Sequence, residues 1–212
     1  FKGPLTNEIL WFDRPACEWL EGLPIGTGRL AGMVMGTVVR ERVALNHEWL
    51  WTGAYRFRDV DSRTRQLPGV RRLLLNGEYE AGTRAGNDAF GGGGGISGRP
   101  CRVDAFQPAG DLYIEFNHSY FIEYQRQLDL STGQVTVTYR ADRMTFRREY
   151  IAHLQQDLLL VRLTAGGKPF SCAVWLDRIL DPRCSLRFRA GPRQLILDGR
   201  LDSGIGFQVR LA

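Results

Sequence analysis

The stretch Leu45-Asn46-His47-Glu48-Trp49-Leu50-Trp51-Thr52-Gly53 brings an amide, an imidazole, a carboxylate and two indoles within a few residues. Indole faces stack on the C–H surfaces of sugars, and amides and carboxylates bond hydroxyls. Binding sites in general join apolar walls to a few polar groups in this way. On that reading Asn46, His47, Trp49 and Trp51 are the candidate binding residues. The same residues also read as a packing segment, with Trp49 and Trp51 in a core or an interface. Residue types alone leave the two readings level. Carboxylates are plentiful elsewhere, and a pair of them is what glycoside hydrolysis ordinarily uses. Most sit at alternating strand or turn positions, where solvation is expected.

Other motifs point away from cofactor and metal chemistry. Gly26-Thr27-Gly28-Arg29-Leu30-Ala31 matches a dinucleotide fingerprint in letters, but that fingerprint needs a strand before it and a helix after it. Here a Gly-studded, Val-rich run follows, so the segment reads as a tight turn entering a strand. The run Gly91 to Gly95 lacks the Lys-Ser/Thr of a phosphate loop. His47, His118 and His153 have no metal-ligand spacing. Asn117-His118-Ser119 is a formal glycosylation triplet. Cys17, Cys101, Cys172 and Cys184 form no C-x-x-C pair and read as small buried hydrophobes. No metal and no cofactor is expected.

The frame that must position these residues has ordinary globular composition: 212 residues, 43% hydrophobic and 24% charged. This excludes disorder, collagen-like repeats and coiled coil. No apolar run approaches the ~18 residues of a membrane span, so no membrane span is expected. The net charge of +5 invites a nucleic-acid reading. Of the basic residues only Lys2 and Lys168 are lysines, and the arginines are interleaved with acids and apolar residues, as in Arg40-Glu41-Arg42 and Leu186-Arg187-Phe188-Arg189. That pattern predicts dispersal along solvent faces and no nucleic-acid partner. The chain opens on Phe1 with no charged-then-apolar signal segment, and Gly206 to Ala212 reads as a strand in progress. A piece of a longer protein is expected. The residues specify no compartment; an extracellular or periplasmic parent is compatible with them.

Strand patterns dominate. Ile9 to Phe12, Leu30 to Val39 and Val43 to Asn46 read as strands, with Arg40-Glu41-Arg42 as a turn and Pro15 to Pro24 as a connector. From Phe106 onward come Asp111 to Phe116, Gln134 to Tyr139, Met144 to Ile151, Leu158 to Leu163, Ser171 to Leu176, Gln194 to Leu197 and Gly206 to Leu211. Ser131-Thr132-Gly133, Ala165-Gly166-Gly167 and Asp198-Gly199 read as turns between them. Between the early and late strands, Asp61-Ser62 can cap a helix, Pro68 suits its first turn, and a further turn or two runs to Ala85 before the Gly-rich stretch. The expected fold is mainly β: a large antiparallel β-sandwich with a short helical insertion near residues 61–85.

At this point the sequence resembles glycoside hydrolase family 95. The similarity lies in Leu10-Trp11-Phe12-Asp13-Arg14-Pro15-Ala16, Trp19, Leu23 to Leu30, Glu41 to Asn46 and Trp51-Thr52-Gly53. It continues through Leu67-Pro68, Arg71 to Leu74, Gln107 to Leu112, Tyr124 to Leu130 and Phe146 to Tyr150, in order over about residues 9–211. The family consists of α-L-fucosidases, with some members acting on α-L-galactosides. The resemblance implies that residues 1–212 are an N-terminal β-sandwich, with the helical insert and Gly-rich loop at about 61–100. It implies as partners a C-terminal (α/α)6 catalytic barrel of the same protein and fucosylated or related oligosaccharides. Hydrolysis would invert the anomeric centre without metal or cofactor. The acid and the water-activating groups would lie in the barrel, so no catalytic residue is assigned here, and the chain alone is expected to be inactive. Gly26-Thr27-Gly28 stands where the family often has Gly-Asn-Gly, and Asn46 to Gly53 departs from the usual Asn-Glu-Asp-Thr-Leu-Trp-Ser-Gly. Both departures bear on sugar specificity. The rival expectation is a stand-alone carbohydrate-binding or interaction sandwich.

Overall fold

Short runs with period-2 apolar alternation, cut by turn residues, are stable only when paired side by side with one face buried. A computed structural model describes residues 8–53, 62–90, 104–118, 120–166 and 169–212. Its elements are β1 (Ile9–Phe12), β2 (Leu23–Gly26), β3 (Leu30–Val34), β4 (Arg40–His47), α1 (Leu67–Leu75), α2 (Tyr79–Phe90), β5 (Gly110–Phe116), β6 (Ile122–Asp129), β7 (Gln134–Ala141), β8 (Met144–Ala152), β9 (Leu159–Ala165), β10 (Cys172–Asp177), β11 (Cys184–Gly191), β12 (Gln194–Leu201) and β13 (Gly206–Leu211). The strands form three antiparallel sheets, ordered β1-β6-β7-β8-β9, β10-β5-β4-β3-β2 and β11-β12-β13. The fold is mainly antiparallel β and sandwich-like, as the alternation predicts. The chain divides into a strand unit, Phe1–Leu50 with Gln107–Ala212, and a helical unit, Trp51–Phe106.

The strand unit buries Val34, Val43, Ile114 and Phe116 from one five-stranded sheet against Val137, Phe146 and Tyr150 from the other. Leu197 and Leu201 of β12 complete the same core. In the helical unit α1 and α2 form a hairpin. Pro68 sits in the first turn of α1, which begins at Leu67 after a 3-10 turn over Thr64–Gln66. Helix α2 runs past Ala85 to Phe90, and Gly82 leaves room for the Leu74 side chain of α1 at 2.6 Å from where a Cβ would be. The expected cap residue Asp61 and the run Gly91 to Gly95 lie outside the described residues.

Several sequence expectations are corrected. Arg40-Glu41-Arg42 is no turn but the start of β4, and Glu41 is fully buried. The segment Leu30 to Val39 stops being strand at Val34. After it, Gly36 adopts φ +73 with the Tyr124 hydroxyl and Arg126 Cδ at 2.6 and 3.0 Å from a virtual Cβ, so no side chain fits there. Asp198-Gly199 lies inside β12, where the Phe207 ring of β13 covers Gly199. Strands β2, β6 and β11 are further strands that the sequence reading did not assign: β2 carries Pro24 and β6 an inward Arg126, whereas β11 alternates apolar and polar residues throughout. Cys17 is exposed and Cys172 and Cys184 are half-buried; the Cys17 N–H is spent on the Glu21 carboxylate at 2.7 Å.

The arginines are not all on solvent faces either. Arg126, Arg148 and Arg178 are buried, and each reaches carbonyl groups that its own sheet does not supply. Arg148 donates to the carbonyls of Thr37 at 2.7 Å and Val38 at 2.5 Å, to the Tyr139 hydroxyl at 2.5 Å, and lies 3.4 Å from the Glu41 carboxylate. Its guanidinium also lies 4.2 Å from the Phe116 ring centroid, a cation–π contact. Glu41 accepts from Gly36 N–H at 2.8 Å, Arg42 N–H at 3.0 Å and the Tyr150 hydroxyl at 2.9 Å. Burial pushes the Glu41 carboxyl above the usual carboxylate range, opposed by Arg148, Tyr150 and the two N–H groups. Burial and the neighbouring carboxylate push Tyr150 well up, so its hydroxyl keeps its proton and donates. Arg126 donates to the carbonyls of Arg14 at 2.8 Å and Glu21 at 2.6 Å, stapling the loop before β2 to β6.

Removing one member of a buried ion pair strands the other, at a cost of about 3–5 kcal/mol. Arg148→Met is therefore expected to lower the unfolding free energy of the chain by about that amount in urea titrations. Adding Glu41→Gln to Arg148→Met should cost much less than the sum of the single changes. Additive losses would show that the pair is not coupled.

Candidate functional site

Strand β4 ends at His47, and its pleat sets the site. Glu41, Val43, Leu45 and His47 share one face because successive strand residues alternate. That face is directed at the other five-stranded sheet, whose β8–β9 turn carries Asp157. His47 Nε2 lies 3.5 Å from an Asp157 carboxylate oxygen. Asn46, one residue earlier, belongs to the opposite face of β4.

Arg29 comes from the β2–β3 turn. Thr27 N–H donates to the Leu30 carbonyl at 3.0 Å, Leu30 N–H donates to Thr27 Oγ1 at 3.3 Å, and Gly28 sits at φ +90. This is the tight turn predicted for the glycine-rich hexapeptide, followed by strand rather than helix. The Arg29 carbonyl accepts from Glu48 N–H at 2.8 Å, which ties the turn to the end of β4. Its guanidinium grips Asp157 with both arms, Nε to Oδ1 at 3.1 Å and Nη2 to Oδ2. Hydrogen bonding and charge from Arg29, with a smaller contribution from His47, hold the Asp157 carboxyl below the usual range. An acid so lowered stays ionised near neutrality and cannot serve as a general acid there. The Asp157 turn is shaped by His153, whose Nδ1 accepts from Gln155 N–H at 3.3 Å and whose own N–H donates to the Leu158 carbonyl at 2.9 Å.

Trp49 rests on this group. The Arg29 guanidinium lies 5.3 Å from its ring centroid, and the His47 ring meets it at 5.3 Å and 69°. The backbone N–H of Trp49 donates to His47 Nδ1 at 3.3 Å. Even so, Trp49 is 67% exposed. An indole flanked by a clamped arginine and an imidazole, with most of its surface open, offers a flat face on which an apolar surface can stack, and any preordering by these contacts lowers the entropy lost on stacking. The arrangement has the geometry of a stacking surface; Asp157 is committed to Arg29 and offers no acid–base chemistry.

Of the sequence candidates, His47 and Trp49 come together here. Trp51 falls in the helical unit, where it bridges to Phe106 with rings 5.1 Å apart and is 44% exposed. Arg29 and Asp157 escaped sequence reasoning. Arg29 was inside a turn motif read only for its glycines, and Asp157 lies 128 residues further on. No local spacing signals such a pair. Among the described residues, no group of three or more His, Cys, Asp or Glu could hold a metal ion, and no helix is long and apolar enough to cross a membrane.

Comparison with known proteins covers most of the chain. Residues 10–212 match the family described as glycosyl hydrolase family 65, N-terminal domain. "Alpha-L-fucosidase 2" of Arabidopsis thaliana is 31% identical over 166 residues, 76% of this chain and 18% of that protein. "Probable alpha-fucosidase A" of Aspergillus oryzae is 25% identical over 187 residues, 83% of this chain and 24% of that protein. The chain thus spans about a fifth to a quarter of the length of these curated relatives. The names agree with the α-L-fucosidase resemblance read from the sequence.

The Asp157 carboxyl is expected to titrate below the ordinary aspartate value of 3.8. In Arg29→Ala its midpoint should move up, and the Trp49 indole N–H resonance should shift and broaden. Carboxyl 13C and indole 15N spectra across the acid range check both. An unchanged Asp157 midpoint in the variant would mean that the clamp is not formed in solution.

Proposed function

Starting from a chain that belongs to the glycosyl hydrolase family 65 N-terminal domain family, we propose that it is the N-terminal β-sandwich domain of an inverting, exo-acting α-L-fucosidase-like hydrolase of family 95 type. Its partner in this reading is an (α/α)6 catalytic barrel of the same protein, against which it packs. In the barrel a carboxylic acid would protonate the leaving oxygen while an activated water attacks the opposite face of the sugar. This domain would contribute a wall of the cleft for a fucosylated or related oligosaccharide.

The observation that supports the wall is Trp49, held by Arg29 and His47 with most of its ring surface open. A stacking platform built by packing would be buried; this one is built by polar clamps at the surface. We assign the wall to His47 and Trp49, with Arg29 and Asp157 as their support. Asn46 and Trp51 are separate candidates, on the other face of β4 and in the helical unit. The small share of the relatives' length that the chain spans supports placing the catalytic groups elsewhere in the parent. The rival is a stand-alone carbohydrate-binding sandwich, for which an exposed indole platform is equally suited.

The isolated 212-residue chain is expected to show no turnover of p-nitrophenyl α-L-fucoside; enzyme-like turnover would overturn the proposal. In the full-length parent, Trp49→Ala should weaken substrate binding by about 0.5–1.5 kcal/mol, raising KM several-fold with kcat little changed. Tight binding of fucosylated oligosaccharides by the isolated chain would favour the stand-alone reading.

A further inference from the structure

The outer face of the sheet β11-β12-β13 concentrates arginine. Arg187 and Arg189 of β11, Arg200 of β12 and Arg210 of β13 all lie on it, and all are exposed. Pairing sets Arg187 beside Asp198, and Arg189 and Arg210 on either side of Ile196. On one strand, alternate residues stand about 7 Å apart, and neighbouring strands about 4.8 Å apart. Arg187 and Arg189 are neighbours along β11, Arg210 stands two strands from Arg189, and Arg200 lies diagonal to Arg187, so the four cluster on one face. On the opposite face Leu197 and Leu201 are in the core, while Phe188 is exposed.

One carboxylate already sits on this face. Asp198 accepts from Arg189 Nε at 2.9 Å and lies 2.7 Å from Arg189 Nη2, while Gln208 Nε2 donates to its other oxygen at 2.6 Å. These contacts hold the Asp198 carboxyl below its usual range. Arg210 donates to the Gln208 amide oxygen at 3.1 Å. Arg187, opposite Asp198 in the register, adds to the charge that lowers it, and among the described residues neither Arg187 nor Arg200 makes an ion-pair contact. The face thus displays how it holds one carboxylate with an excess of guanidinium groups around it.

We propose that this face binds a linear polyuronate, a polysaccharide carrying a carboxylate on successive sugars. Planar guanidinium groups pair bidentately with planar carboxylates, and several of them clustered on one face suit a chain that presents a carboxylate on each sugar. A protein partner fits poorly, since such interfaces centre on an exposed apolar or aromatic anchor. The one apolar side chain in these rows, Ile196, is 6% exposed beneath its arginine neighbours. Single-stranded nucleic acid is disfavoured because the array carries no aromatic stacking platform. This surface is distinct from the Trp49 platform and does not depend on its role.

Titration of the 212-residue chain with polygalacturonate at low and physiological salt tests the proposal. Binding is expected, falling with salt, with none to neutral dextran and at least about tenfold weaker binding to duplex DNA. Arg187→Glu with Arg200→Glu should weaken binding about tenfold or more, and the milder Arg187→Gln with Arg200→Gln by less. Arg65→Glu with Arg71→Glu, the same charge change on the helical hairpin, should leave it nearly unchanged. Circular dichroism and thermal melts establish that each variant is folded. Failure of the wild-type chain to bind, equal weakening by the two charge reversals, or DNA binding as tight as polygalacturonate binding would each overturn the proposal.

Discussion

Two sheets cannot close over a buried carboxylate unless something repays its desolvation. Glu41 and Arg148, both sealed between the five-stranded sheets, are the pair on which the strand unit depends. A lone buried charge is strongly destabilising. Here the carboxylate collects two backbone N–H groups and a tyrosine hydroxyl, and the guanidinium collects two carbonyls and a second tyrosine. The carbonyls of Thr37 and Val38 and the N–H of Gly36 belong to the β3–β4 loop, so this loop is held by Arg148 of the opposing sheet and by Glu41 of its own. Tyr124 adds a hydrogen bond from its hydroxyl to the Gly36 carbonyl at 2.6 Å. Gly36 is required because the loop passes too close to Tyr124 and Arg126 for any side chain.

The same pair reaches the candidate site through strand register. Glu41 and His47 lie on one face of β4, six residues apart along the pleat. A slip of one residue would turn both away from the second sheet. Locking Glu41 onto Arg148 and Tyr150 therefore also aims His47 at the β8–β9 turn, where Asp157 waits with Arg29 in its grip. Trp49 follows two residues later and is steadied by the same groups. Stability and the geometry of the candidate site are linked through one strand, with the buried charge pair at one end and the exposed indole just beyond the other.

The arginine content takes on two meanings once the sheets are assembled. Arg126, Arg148 and Arg178 act as internal staples, satisfying loop carbonyls that antiparallel pairing leaves over. Arg187, Arg189, Arg200 and Arg210 gather on one solvent face, although in sequence they alternate with apolar and polar residues like any half-buried strand. Guanidinium suits both tasks because its fixed fork of donors can satisfy several acceptors at once and remains charged in either setting.

Much of the architecture is legible in the sequence. Period-2 alternation marks β5, β7, β8 and β13, the glycine-rich hexapeptide reads correctly as a turn into a strand, and the ordered motifs indicate the glycosidase relationship. Strand β6 was not legible, because its Arg126 occupies an inward position that hydrophobic periodicity treats as outward. Glu41 was misread for the same reason: a charged residue between two arginines looks solvated until a partner 107 residues away is brought against it. His47 and Trp49 were legible as a dense aromatic and polar cluster. Arg29 and Asp157 were not, because their pairing exists only after β2–β3 and β8–β9 turns from different sheets meet. Local residue patterns thus determined which segments become strands. Only tertiary packing decided which charges are buried and which side chains share a site, because both depend on long-range partners that local periodicity does not encode.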